Sequence, residues 1–219
     1  IHHQPQWLVI KGGSSQYIDP LTQPFQDGIR LGMPVSSVKR FEDRVEITSK
    51  GETESFDRVV LAAHSDQALR MLADPTDLEN DILSVIPYQE NVAVLHTDAA
   101  LMPKKKIAWA SWNYHIPKEE TGRVALTYDM NRLQSLDAPE EFCVTLNMSG
   151  AIQPQKKIES LVYHHPVYDP KSLQARRSQD DLNGQNRTYY CGAYWGYGFH
   201  EDGVNSALAV CKHFGKHLS

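Results

Sequence analysis

Cysteine is scarce in this sequence. Cys143, Cys191 and Cys211 form no CxxC pair, and an odd count without such pairs argues against a disulfide framework and a zinc ribbon. Such usage fits a reducing cytoplasm. No apolar run approaches the ~20 residues that span a bilayer, and the first ten residues lack the apolar stretch of a secretory signal. Positive charge is also in deficit: 22 Lys and Arg against 27 Asp and Glu give a net charge of −5, which excludes a broad nucleic-acid face. The longest basic runs, 104–106 and 176–177, lie in polar sequence and read as solvated surface. Ten histidines are scattered, and the pairs His2-His3 and His164-His165 are adjacent rather than four apart, so no metal site is expected.

What is present is ordinary globular sequence. Of 219 residues 41% are hydrophobic and 22% charged, enough to bury a core in one large domain or two small ones. Residues 7–10 are a short apolar run ending at Gly12-Gly13 and read as a strand and turn, with Ser14 or Ser15 capping a short helix that Pro20 and Pro24 limit. Residues 29–31, 35–38, 45–48 and 53–56 read as short strands, with a hairpin turn at Lys50-Gly51. Residues 59–63 are continuously apolar, the pattern of a strand buried on both faces. Ser65 or Asp66 is placed to cap one helix and Thr76 another. Although His64, Ser65 and Asp66 are triad residue types, neighbours in sequence cannot fold onto one another as a triad.

Residues 92–95, 107–112, 123–128 and 142–146 read as an antiparallel sheet joined by polar loops, and 171–187 reads as a loop. Trp109, Trp112 and Tyr114 fall at near-alternating positions and read as sheet-face packing. His164-His165 precedes Pro166 and reads as a turn.

The end carries the most information. Residues 188–191 read as a strand, and a glycine- and aromatic-rich turn runs from Gly192 to Gly203. Val204, Ala207, Leu208 and Cys211 then recur at helical spacing. Glycines at 192, 196, 198 and 203 let backbone approach a ligand closely. The helix start offers amide N–H groups and a positive dipole end, which suit an anionic or electron-rich ligand edge, and Tyr194, Trp195, Tyr197 and Phe199 are available to line a flat one. The spacing is not that of a GxGxxG motif, and a tight turn with core aromatics is the competing reading. No strand follows the last helix, so strands 59–63 and 188–191 lack sheet neighbours in this chain, which points to half a domain.

Gly198-Phe199-His200-Glu201-Asp202-Gly203-Val204 resembles the C-terminal flavin-binding motif of the flavin-containing amine oxidase superfamily. So do Trp7 with Gly12-Gly13-Ser14 and Tyr17, the strand at Val35 after Met33-Pro34, and Phe56-Asp57-Arg58-Val59-Val60-Leu61-Ala62-Ala63. His64-Ser65-Asp66-Gln67-Ala68-Leu69 and Ala108-Trp109-Ala110-Ser111-Trp112-Asn113-Tyr114 bring a bacterial subgroup of NAD/FAD-binding proteins closest.

The resemblance implies an α/β (α+β) chain: an incomplete Rossmann-like FAD domain from 1–66 and 186–219, and a mixed-sheet substrate domain from 67–185. It implies FAD contacts at Val35, Gly192, Ala193, Trp195, Gly198, Phe199, His200 and Val204. Val35 would hold the adenine through its backbone, and the His200 amide would face the flavin C2 carbonyl. The expected activity is hydride transfer from a small-molecule or lipid-like substrate to flavin. The pyrophosphate-binding GxGxxG segment lies in the family's N-terminal part, so this stretch alone is expected to be inactive and to bind FAD weakly or not at all. The family's lysine near flavin N5 would fall near Asn91, and no lysine occurs between Lys50 and Lys104, which places amine oxidation in doubt. A non-catalytic binding domain and an NAD-binding protein are the alternatives.

Overall fold

The computed structural model describes residues 7–117 and 122–218. In chain order, 3-10 turns at Ser14–Tyr17 and Gln23–Gly28 flank α1 (Ile18–Thr22). Next come β1 (Val35–Arg40), β2 (Val45–Ser49), β3 (Glu52–Phe56), β4 (Val59–Leu61), α2 (Ser65–Met71) and α3 (Asp77–Leu83). Then follow β5 (Tyr88–His96), β6 (Trp112–His115), β7 (Ala125–Asp129), α4 (Met130–Gln134), β8 (Cys143–Leu146) and β9 (Lys157–Pro166). The last elements are α5 (Pro170–Ala175), α6 (Gln179–Leu182), β10 (Thr188–Tyr190) and α7 (His200–Lys212). The class is α+β.

The chain forms two compact units. One takes the residues through Ile29 and Glu90–Tyr163, the other Arg30–Gln89 and the residues from His164 onward. These limits differ from boundaries at 66/67 and 185/186. The reason is packing: α2 lies on β1 and α3, and α6 lies on β10, so their segments join the unit that holds β1–β4.

In that unit β1, β2 and β3 form an antiparallel sheet, with Ser49 opposite Glu52 across the expected Lys50-Gly51 turn. β4 and β10 form a parallel pair, Val59 opposite Thr188 and Leu61 opposite Tyr190. Val38, Val45, Leu61, Leu83, Leu182 and Tyr190 share one core. A buried ionic cluster sits within this unit. Arg40 donates to both carboxylate oxygens of Glu79 at 2.7 and 2.9 Å and to Asp74 Oδ1 at 2.8 Å. Tyr190 Oη donates to Glu79 Oε1 at 2.5 Å, and Glu79 also accepts from the Thr76 amide as the N3 residue of a capping box on α3.

Burial pushes the Glu79 carboxyl up, but the Arg40 guanidinium, the Thr76 amide and the Tyr190 hydroxyl outweigh it and hold it at about 2. A carboxylate depressed in the folded state stabilises it fully above its unfolded value of 4.5 and loses that contribution as the pH falls from there toward 2. The urea midpoint should therefore drop between pH 5 and pH 3. In a Glu79→Gln variant, already less stable, that dependence should flatten; an equal slope in the two proteins would remove Glu79 as its source.

The other unit carries most of a five-stranded sheet in the order β6-β7-β8-β5-β9. β6–β7, β7–β8 and β8–β5 pair antiparallel. One face is buried and polar, with Thr127, Asp129, Cys143, Thr145 and His96 in it.

Several expectations are corrected. Residues 7–10 and 29–31 form no strand. They are exposed in their unit, with no strand beside them to complete a ladder. Of residues 107–112 only Trp112 is in a strand, opening β6: a 3-10 turn at Lys106–Ala108 precedes it, and Asn113 holds the bend between through the Ala110 amide and carbonyl. Residues 171–187 are not a loop but contain α5 and α6, started by an Asp169–Ser172 capping box that polar composition concealed. His164, His165 and Pro166 end β9 rather than forming a turn. His64, not Ser65 or Asp66, caps α2, with the Ser65 amide donated to Tyr88 Oη at 2.9 Å. β4 is not buried on both faces: Val59 and Leu61 are inside, and Val60 is 45% exposed on the face where α7 clusters with Tyr189 of β10 and leaves β4 partly open.

Candidate cofactor site

β10 is wholly buried and delivers the chain to the glycine-rich turn at its C-terminal end, the end where parallel sheets place ligands. The ladder continues one residue further, Cys191 N–H donating to the Leu61 carbonyl at 3.2 Å. The Gly192 amide donates to Ser206 Oγ at 2.9 Å, which ties the turn to α7. Gln179 Nε2 donates to the carbonyls of Tyr190 at 3.0 Å and Ser206 at 3.1 Å, fixing strand and helix to each other.

Between them, Ala193–Trp195 form a single 3-10 turn. Tyr194 and Trp195 are turned inward, 4.9 Å apart, and belong to the hydrophobic core. Their rings pack inside the chain rather than on its surface, because burying rings of that size is worth more than leaving them in water. Tyr197 and Phe199 are exposed, as are Gly198, His200 and Val204. Gly198 has φ +89°, and its amide donates to the Ala193 carbonyl at 3.1 Å. Only glycine adopts that backbone readily, and the missing side chain leaves the backbone open just before the helix.

Two side chains that the sequence reading did not single out set the turn's shape. Asp202 Oδ2 accepts from the amides of Tyr197 at 2.9 Å and Phe199 at 3.0 Å, so the N3 carboxylate of α7 reaches back to its N-cap. Only the N3 half of a capping box is present, since Phe199 has no side-chain acceptor, so the sequence carries no Ser/Thr N-cap signal for it. Arg176 donates to the Gly196 carbonyl and lies over the rings of Tyr197 at 4.3 Å and Tyr168 at 5.1 Å. No local signal points to it, because its partners lie up to 21 residues away. Burial raises the Tyr168 hydroxyl to about 12, and that hydroxyl lies 3.4 Å from where a Cβ on residue 198 would stand.

The structure thus gathers Gly192, Ala193, Trp195, Gly198, Phe199, His200 and Val204 within the turn and the first turns of α7. Val35 opens β1 in the same compact unit and is 36% exposed. Asn91 is buried in β5 and its Oδ1 accepts from Asn147 Nδ2 at 2.7 Å. Cys191 is buried, as a strand residue there should be. Among the described residues no three His, Cys, Asp or Glu side chains are grouped to hold a metal ion, and no helix is long and apolar enough to cross a membrane.

Residues 1–126 match the family model for flavin-containing amine oxidoreductases. No curated protein matches the sequence. Among solved structures, the chain is similar to putrescine oxidase bound to putrescine, at 13% identity and TM-score 0.61 over 94% of this chain and 54% of that one. It is similar to cyclohexylamine oxidase from Brevibacterium oxydans IH-35A, at 13% identity and TM-score 0.60 over 93% and 53%. It is also similar to a CLA-producing fatty acid isomerase from P. acnes, at 18% identity and TM-score 0.56 over 83% and 47%. The chain spans about half the length of these structures, and at such identities the likeness is one of fold.

Proposed function

We propose, from the premise that this chain belongs to the flavin-containing amine oxidoreductase family, that it is the C-terminal part of an FAD-dependent enzyme passing hydride from a small organic substrate to flavin. The family is one of oxidoreductases and its cofactor is flavin. The observation that carries the reading is the placement of the exposed residues Gly198, Phe199 and His200 at the start of a 13-residue helix, at the C-terminal end of a parallel strand. A flavin gains negative charge near its N1–C2 edge on reduction, and an amide-rich helix start would favour that form.

In this proposal Gly192, Gly198, Phe199, His200 and Val204 meet the isoalloxazine ring, Ala193 and the buried Trp195 shape the floor beneath it, and Val35 meets the adenine. Asp202 and Arg176 act on the turn rather than on the ligand. Bound FAD would supply the redox chemistry, and this chain would supply orientation and the field of the helix.

A second feature supports a partial domain. Among the described residues β4 and β10 pair only with each other, so each keeps an unpaired strand edge. Further strands supplied by the rest of a longer protein would complete that sheet.

The test is an absorption spectrum of the protein translated from the whole reading frame. Flavin bands near roughly 370 and 450 nm are expected, with much weaker retention of added FAD by residues 1–219 alone. A colourless whole protein that takes up NAD but no FAD would replace this reading with the nicotinamide one. A whole protein that takes up neither would leave the non-catalytic domain.

A further inference from the structure

A line of polar side chains crosses the buried face of the five-stranded sheet. His115 Nε2 on β6 lies 2.7 Å from Thr127 Oγ1 on β7, and Thr127 Oγ1 lies 2.8 Å from Thr145 Oγ1 on β8. Thr145 Oγ1 in turn lies 2.7 Å from His96 Nε2 on β5. Thr127, Thr145 and His96 are fully buried, and His115, at the end of the edge strand, is half-buried. At the inner end the Asp98 amide donates to His96 Nδ1 at 3.0 Å.

That one backbone amide orients the whole line. An amide N–H can only donate, so His96 Nδ1 must accept and carries no proton. The neutral ring then bears its proton on Nε2 and donates to Thr145. If Thr127 donated to Thr145, the Thr145 proton would have no acceptor among the described residues, in a place with no water exposure. So Thr145 donates to Thr127, Thr127 donates to His115 Nε2, and His115 is left with its proton on Nδ1.

We infer that His96 is a positioning residue: acting through Thr145 and Thr127, it fixes His115 as a neutral ring protonated on Nδ1 and accepting at Nε2. The line is a lock rather than a proton wire. To pass a proton outward, His96 would have to lose its Nε2 proton while Nδ1 still accepts from Asp98, leaving an imidazolate. To take a proton in at His115 Nε2, the line would have to reverse and strand the Thr145 hydroxyl.

The surrounding charges leave this arrangement in place. Asp98, beside His96, accepts from the amides of Gln153 and Ala100 and from Lys156 Nζ. Burial lowers the proton affinity of His96, Asp98 raises it and Lys156 lowers it. Burial alone lowers that of His115. Asp129 on β7, Glu141 before β8 and Arg132 on α4 form a separate group, with Arg132 Nε 2.9 Å from Asp129 Oδ2 and Glu141 raised by burial and by Asp129.

The experiment is long-range proton–nitrogen NMR of the labelled 219-residue chain at neutral pH. His96 should show the Nε2-protonated form and His115 the Nδ1-protonated form, the less common one for a histidine in water. In Thr127→Val, His115 should revert to the Nε2-protonated form and its titration midpoint should rise; in Thr127→Ser, the wild-type pattern should return. An Nε2-protonated His115 in the wild type, a His96 protonated on Nδ1, or a Thr127→Val spectrum identical to wild type at His115 would overturn the inference. If Thr127→Val does not fold, the wild-type spectrum and the serine variant decide.

Discussion

Replacing Arg40 with Met should destabilise the chain by about 3–5 kcal/mol, since removing one partner of a buried ion pair strands the other charge. Glu79 is 2% exposed, and its carboxylate is held by Arg40 on both oxygens. Without Arg40 only the Tyr190 hydroxyl and the Thr76 amide and hydroxyl remain to it. The double replacement Arg40→Met with Glu79→Met should recover most of the loss, because it removes both charges and leaves apolar volume beside Val38 and Leu83. Urea unfolding of the four proteins reads this directly as a double-mutant cycle. If the double variant proved as unstable as the sum of the singles, the cluster's value would lie in its individual hydrogen bonds and not in charge compensation. The core links β1, α3 and β10, so the loss should register across that unit.

Arg40 and Glu79 also show where sequence reasoning stops. The β2–β3 hairpin was legible because Lys50-Gly51 between alternating residues is a local signal, and α3 was legible because Thr76 precedes an apolar period and carries Glu79 at the capping-box position. That Glu79 also binds an arginine 39 residues earlier is not a local fact. The same division runs through the site. The strand, glycine turn and last helix could be read from residues 188–212, and the resemblance gave them a ligand. The inward turn of Tyr194 and Trp195 could not be read, because composition says only that aromatics are there, and packing against Leu61 and Tyr190 decides which way they face. β4 failed for the converse reason: a run of apolar residues signals burial on both faces, but on the second face α7 clusters with Tyr189 of β10 and leaves Val60 45% exposed. Arg176 and the line from His115 to His96 are products of topology, assembled from strands and loops distant in sequence.

The turn itself should be the most sensitive part of the site. A Cβ at residue 196 would stand 2.5 Å from the Asp202 Cβ, well inside van der Waals contact, so Gly196→Ala must push Asp202 away from the amides of Tyr197 and Phe199. Each charge-assisted bond of this kind is worth about 1.5–3 kcal/mol, and Asp202→Ala removes the same two bonds without adding a methyl group. The two variants should therefore cost similar stability, about 2–4 kcal/mol after partial rescue by water. Their combination should cost little more than either alone, since both act through one pair of bonds. In the whole protein both should bleach the visible flavin spectrum, because Gly198 to His200 would no longer be held at the helix start. Gly203→Ala is the control. Its Cβ would meet the Ala193 Cβ at 3.9 Å, an ordinary van der Waals contact, so it should leave both stability and flavin retention close to wild type. Additive losses in the Gly196→Ala, Asp202→Ala double variant would show that the methyl group disturbs something other than the Asp202 clasp, with the Arg176 bond to the Gly196 carbonyl the nearest candidate.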